Sequence, residues 1–160
     1  MKNNIVIKDN FIKKNDFKKL SETILSDNFS WYYKDRMVTT TKDASFFYHS
    51  FFHNHTPNSN KLYLLKPILD ILKPLALINI RANLIIKKPD ANSSYHIDTP
   101  NAKTSIFYIN TNNGHTEFEN NNKKINCVKN RMLTFDSNLR HRAVAQSDTD
   151  RRIVINFNYF

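Results

Sequence analysis

Residues 95–100 read YHIDTP. His96 and Asp98 stand at i and i+2, and in an extended segment alternate side chains share a face, so both would project the same way. An imidazole nitrogen and a carboxylate oxygen side by side are two ligands for a divalent cation. His141, in NLRHRAVAQ, offers a third. Two histidines and one carboxylate on one face of a metal leave its other positions open, which suits non-haem Fe(II) chemistry with O2. The same donors suit Mn, Co or Ni, so residue type alone leaves the metal open. A lone HxD is a weak signal, and the rest of the chain must give it weight.

Near the C-terminus, DRRIVINFNYF puts Ile153, Ile155, Phe157 and Tyr159 on one strand face and Arg152, Val154, Asn156 and Asn158 on the other. A buried cation needs an anionic partner. A carboxylate-bearing cosubstrate would supply one, matched to the forked guanidinium. Asp148 and Asp150 are local alternatives, and Arg151 adjoins Arg152, so register decides which arginine faces inward. In AKTSIFYINTNNGHTEFE, Thr104, Ile106, Tyr108 and Asn110 share a face. The Tyr108 phenol could add a hydrogen bond to the same carboxylate, or simply pack in the core.

These residues need strands to carry them. PLALINIRANLIIKK alternates, with Ile78, Ile80, Ala82, Leu84 and Ile86 on one face and Asn79, Arg81 and Asn83 on the other. Short strands are expected around 94–98, 103–110, 115–119, 123–129, 131–135, 142–146 and 151–159, separated by turn signals such as NTNNG and FDSN. Upstream, NDFKKLSETILSD predicts a helix over 15–27, capped by Asn15 or Asp16, and KLYLLKPILDILK predicts another over 61–73, bent or restarted at Pro67. The pattern is mainly β with N-terminal helices: a jelly roll or similar double-sheet sandwich, in one domain over 1–160. Residues 1–75 would form a helical cap and wall, and 76–160 the core. Gly occurs once, so asparagine must supply many of the turns.

Four of these stretches, YHID, KTSIFYINTNNGHTEF, NRMLTFDSNLRHR and RRIVINFNYF, come in an order that resembles the 2-oxoglutarate/Fe(II)-dependent dioxygenases, especially the prolyl-4-hydroxylase-like group and its small phage-encoded relatives. The resemblance runs from about residue 78 to 160. It implies a double-stranded β-helix with a metal between its sheets. His96, Asp98 and His141 would be the iron ligands; Arg152 and Tyr108 would bind the distal carboxylate of 2-oxoglutarate, and Asn83 would be a further cosubstrate contact. The implied cofactors are Fe(II), 2-oxoglutarate and O2. The implied reaction is hydroxylation of a substrate C–H, with a peptidyl proline among the candidates, and release of succinate and CO2. No catalytic side chain beyond the metal site is required. The glycine that the family often has before its HxD is replaced here by KKPDANSS.

The remaining signals are weaker. His53 and His55 form a second pair that a cupin-like site could use, while the FFYHSFF stretch around His49 is expected to be wall or lid. His115 should be exposed at a strand start. Trp31, Tyr32 and Tyr33 read as core packing, with a substrate groove as the alternative. Cys127 can form no internal disulfide and lacks CxxC spacing, so a packed thiol in a reducing compartment is expected. Nothing resembles a signal peptide or a membrane-length apolar run, which points to a cytoplasmic protein, in the host if phage-encoded. Net charge is +10, yet no long basic run appears. The rival reading is a non-catalytic basic module that stacks single-stranded nucleic acid on its aromatic residues. Substrate class (protein, nucleic acid or small molecule) and oligomeric state stay open.

Overall fold

The computed structural model describes residues 5–36, 45–88 and 92–160. Two antiparallel sheets face each other. The strands in chain order are β1 (Val6–Lys8), β2 (Tyr32–Lys34), β3 (Phe46–His53), β4 (Thr56–Pro57), β5 (Leu77–Ile86), β6 (Lys103–Tyr108), β7 (His115–Phe118), β8 (Lys124–Asn126), β9 (Arg131–Asp136), β10 (His141–Val144) and β11 (Arg151–Tyr159). The larger sheet runs β1-β9-β6-β11-β5-β3-β2, with β4 added to β3, and the smaller runs β10-β7-β8. This is a jelly roll.

Helix α1 (Lys14–Leu25) and helix α2 (Lys66–Leu72), the latter entered through a 3-10 turn (Leu62–Leu65), lie on the outer face of the larger sheet. Leu20, Ile24, Leu65 and Ile68 from this layer are fully buried against Ile80, Ala82, Phe107, Ile153, Ile155 and Phe157. A second core fills the space between the sheets, where Ile106, Tyr108, Phe118, Phe135 and Val154 meet. Strand β11 is therefore buried on both sides. Its outward stripe is apolar, while its inward stripe carries Arg152, Asn156 and Asn158.

Register decides what those inward residues meet. Opposite β5, Arg152 pairs with Ile85, Val154 with Asn83 and Asn156 with Arg81. Opposite β6, Val154 pairs with Tyr108 and Asn158 with Thr104. Directly opposed residues share a sheet face, so a polar strip crosses the inner floor of the sandwich.

The expected elements differ in places. The first 75 residues supply β2 and β3 to the larger sheet as well as helices, because FFYHSFFH is buried on both sides as the neighbour of β5. Helix α1 begins after Lys13 with no side-chain cap, and Pro67 falls in the first turn of α2, where its missing N–H costs nothing. The strand expected at 94–98 reduces to a single bridge between His96 and His141. Asparagine does take the turns: Asn10, Asn54, Asn101, Asn122 and Asn130 all have positive φ. Within KKPDANSS, residues 89–91 lie outside the described part. Among the described residues, no helix is long and apolar enough to cross a membrane.

Candidate metal centre and cosubstrate cavity

His96 and His141 are locked together by reciprocal backbone hydrogen bonds, each 2.9 Å, and their rings lie 4.7 Å apart. Nδ1 of His96 meets the Ser94 carbonyl at 2.9 Å, and Nδ1 of His141 meets the Leu139 carbonyl at 3.0 Å. A carbonyl only accepts, so each Nδ1 must carry the proton and each Nε2 keeps its lone pair. Both lone pairs face Asp98: His96 Nε2 is 3.8 Å from Oδ1, and His141 Nε2 is 4.0 Å from Oδ2. One ligand atom from each of the three residues lies within 4.8 Å of the others, close enough for one ion to span.

The supporting contacts are specific. Asp98 Oδ2 accepts from Thr104 Oγ1 at 2.9 Å and from Asn158 Nδ2 at 3.1 Å, so the carboxylate is turned by β6 and β11. Partners of this kind set ligand orientation in metal sites. Burial alone would raise the Asp98 carboxyl, but His141 and His96 in their charged forms and these two hydrogen bonds outweigh it and hold it below the usual carboxylate range. Burial pushes the His141 imidazole below its ordinary pKa, with Asp98 opposing. A charged carboxylate and neutral imidazoles are the forms that bind a metal.

The cleft containing these residues encloses about 540 Å³, counting its open mouth. Arg152 lines it and is 2% exposed, whereas Arg151 faces solvent. The Arg152 Nε donates to Cys127 Sγ at 3.0 Å, and its terminal nitrogen to Thr116 Oγ1 at 3.4 Å. Asp148 is occupied by the Asn113 backbone instead. Among the described residues, Arg152 has no carboxylate partner, although Arg131, Arg140 and Arg142 each have one. A buried guanidinium is costly to hold without an anion, and its fork suits a carboxylate.

Tyr108 does not line the cleft. It is fully buried in the second core, and its hydroxyl lies 2.8 Å from Thr116 Oγ1, the hydroxyl that Arg152 also reaches. Burial raises its pKa, with the buried Cys127 thiol adding to the effect. Asn83 does line the cleft, and its Oδ1 is buried without a partner among the described residues. Cys127 is a packed thiol, 1% exposed.

Of the other singled-out residues, His49 is buried between the Ser30 carbonyl and the Ser59 hydroxyl, a structural role. His53 and His55 flank an exposed turn and join no group of possible ligands among the described residues. The FFYHSFF stretch does contribute wall, through Phe46. His115 is half-buried at the start of β7. Trp31 packs at a tilt against Phe29, but Tyr32 and Tyr33 are exposed on an edge strand, so core packing fails for them. Sequence reasoning passed over Thr116, Asn158 and above all Arg81, which also lines the cleft.

The single glycine stands at this site. A Cβ on Gly114 would lie 2.9 Å from the Val144 carbonyl and 3.0 Å from Cδ of Arg152. The backbone oxygen cannot yield cheaply, so Gly114→Ala should displace the arginine. A loss of about 1–3 kcal/mol is expected from overpacking, read by chemical denaturation; unchanged stability would refute it.

No protein-family model matches the sequence, and no curated protein is detectably similar to it. Solved structures are similar in fold. A prolyl hydroxylase from Trichoplax adhaerens, in complex with a hypoxia inducible factor peptide, superposes with a TM-score of 0.71 at 16% identity, over 99% of this chain and 84% of its own. The viral collagen prolyl hydroxylase of Paramecium Bursaria Chlorella virus-1, as its 2-oxoglutarate complex, gives 0.67 at 12% identity, over 96% and 94%. The alpha-ketoglutarate-dependent epimerase SnoN of nogalamycin biosynthesis gives 0.71 at 12% identity, over 99% and 78%. The chain thus has the fold of the 2-oxoglutarate/Fe(II) oxygenases.

Proposed function

We propose that this protein is an Fe(II)- and 2-oxoglutarate-dependent oxygenase that hydroxylates a substrate C–H, releasing succinate and CO2. One observation carries the reading. A cluster of two imidazoles and a carboxylate shares a cleft with a buried arginine that meets no carboxylate among the described residues. The donor set suits Fe(II), and the arginine suits a dicarboxylate whose other end reaches the metal.

His96 and His141 would ligate through Nε2 and Asp98 through the oxygen that Thr104 and Asn158 leave free. Arg152 would take the distal carboxylate, with the Thr116 hydroxyl beside it. Tyr108 would act through Thr116, fixing that hydroxyl rather than touching the cosubstrate. Asn83 would offer its Nδ2 to the cosubstrate from the floor. Bound iron, 2-oxoglutarate and O2 supply the oxidising chemistry, and the chain supplies orientation and a site shielded from water. The prolyl hydroxylases among the similar folds make a proline ring C–H the first substrate position to test.

Anaerobic titration of the protein with Fe(II) and then 2-oxoglutarate is the direct test. A weak visible charge-transfer band, saturating at one equivalent of each, is expected. A protein that binds neither ligand would defeat the reading.

A further inference from the structure

Arg81 is the second arginine of the cleft. It projects from β5 beside Asn156, packs its guanidinium 5.5 Å from the centre of the Phe46 ring, and forms no ion pair among the described residues, although the Asp98 carboxylate acts on it from a distance. Its Nε is buried and unpaired, and so are Oδ1 of Asn83 and Oδ1 of Asn156. All three residues line the same cleft. Buried polar atoms are paired in the great majority of cases, so three orphans in one wall need an explanation.

The cosubstrate does not provide it. Arg152 already answers the distal carboxylate, and the proximal one belongs to the metal. With a divalent metal and a 2-oxoglutarate dianion in place, Asp98 and Arg152 complete the compensation and leave the charge of Arg81 over. Arg142 does not alter this balance, because Glu117 holds it at 2.5 Å. Moreover, 2-oxoglutarate has no hydrogen-bond donor, so it cannot satisfy either asparagine oxygen. What completes the wall is a ligand with an anion for Arg81 and an N–H for Asn83 or Asn156.

We propose that the substrate is of amino-acid type with a free α-carboxylate, received by Arg81, and an adjacent nitrogen that donates to Asn83 or Asn156. The inference rests on the oxygenase reading. An internal peptide segment offers the N–H but no main-chain anion, and would leave the buried Nε of Arg81 without a charged partner.

The test uses wild type, Arg81→Gln and Arg81→Lys, with succinate release measured across the free L-amino acids and their C-terminal amides. At least one free amino acid should stimulate release while its amide does not. Arg81→Gln should raise KM for that amino acid at least about thirtyfold, as expected when one partner of a buried charge pair is truncated, and Arg81→Lys should restore part of it. Calorimetry on the Mn(II)-loaded protein should find 2-oxoglutarate binding essentially unchanged in both variants. Loss of cosubstrate affinity in Arg81→Gln would put this arginine on 2-oxoglutarate and overturn the proposal. Amides that serve as well as acids, or a panel in which no free acid stimulates, would also overturn it. Absence of the Fe(II)–2-oxoglutarate band in wild type is a separate observation, and it would remove the oxygenase reading together with this one.

Discussion

Asp98→Ala is expected to cost at least about a hundredfold in metal affinity, beyond the ten- to hundredfold typical of losing a ligand's supporting contact. Calorimetry with Mn(II), a redox-inert stand-in, reads this without turnover. Asp98 supplies the anion between two imidazoles, and its removal leaves only the imidazoles of His141 on β10 and His96 in the β5–β6 connection. Thr104→Val should cost less, because it removes one hydrogen bond to Oδ2 and leaves Asn158 in place. The ordering is the point: Asp98→Ala worse than Thr104→Val. Mn(II) binding that survives Asp98→Ala would mean that the metal, if any, is held elsewhere.

Arg152→Met should separate binding from stability. Removing one partner of a buried charge pair costs about 2–5 kcal/mol of affinity, which is roughly thirtyfold to several-thousandfold in the 2-oxoglutarate Kd. The unliganded protein should respond in the opposite sense. Arg152 is 2% exposed with only a thiol and a hydroxyl for partners, so it retains a large desolvation penalty. An apolar side chain of similar length relieves that penalty, and such replacements are neutral or stabilising by about 1–4 kcal/mol. A melting temperature at or above wild type, with cosubstrate binding lost, is the expected pair of results. A variant that melts well below wild type would show that Arg152 holds the fold together instead of waiting for a ligand.

The second half of the chain was legible because its strands alternate. Parity put Arg152 and Arg151 on opposite faces without saying which faced inward, and the structure buries Arg152 while Arg151 faces solvent; HxD lies not in the expected strand but at a single bridge to His141. The first half was harder. FFYHSFFH has no alternation because β3 is buried on both sides, and β1 and β2 are three-residue strands too short to show a period. Tyr108 shows the limit of parity. Parity correctly put it on the inner face, but not whether that part of the face is cavity or core. Arg81 was overlooked because a cation on the polar face of an alternating strand reads as solvent-facing. The available signal was the pairing of two polar faces: the inward residues of β5 oppose Asn156 and Asn158 of β11, and two polar stripes side by side in the middle of a sheet line a cavity.

That β11 is covered on both sides has a price for adaptation. Ile153, Ile155 and Phe157 anchor the helical layer while their immediate neighbours Arg152 and Asn156 face the cleft. A backbone shift of a few tenths of an ångström, caused by repacking beneath the helices, would arrive undamped at the guanidinium. Change in ligand preference is therefore more readily accepted at Arg142, on the edge strand β10, than along the strand that bears both loads.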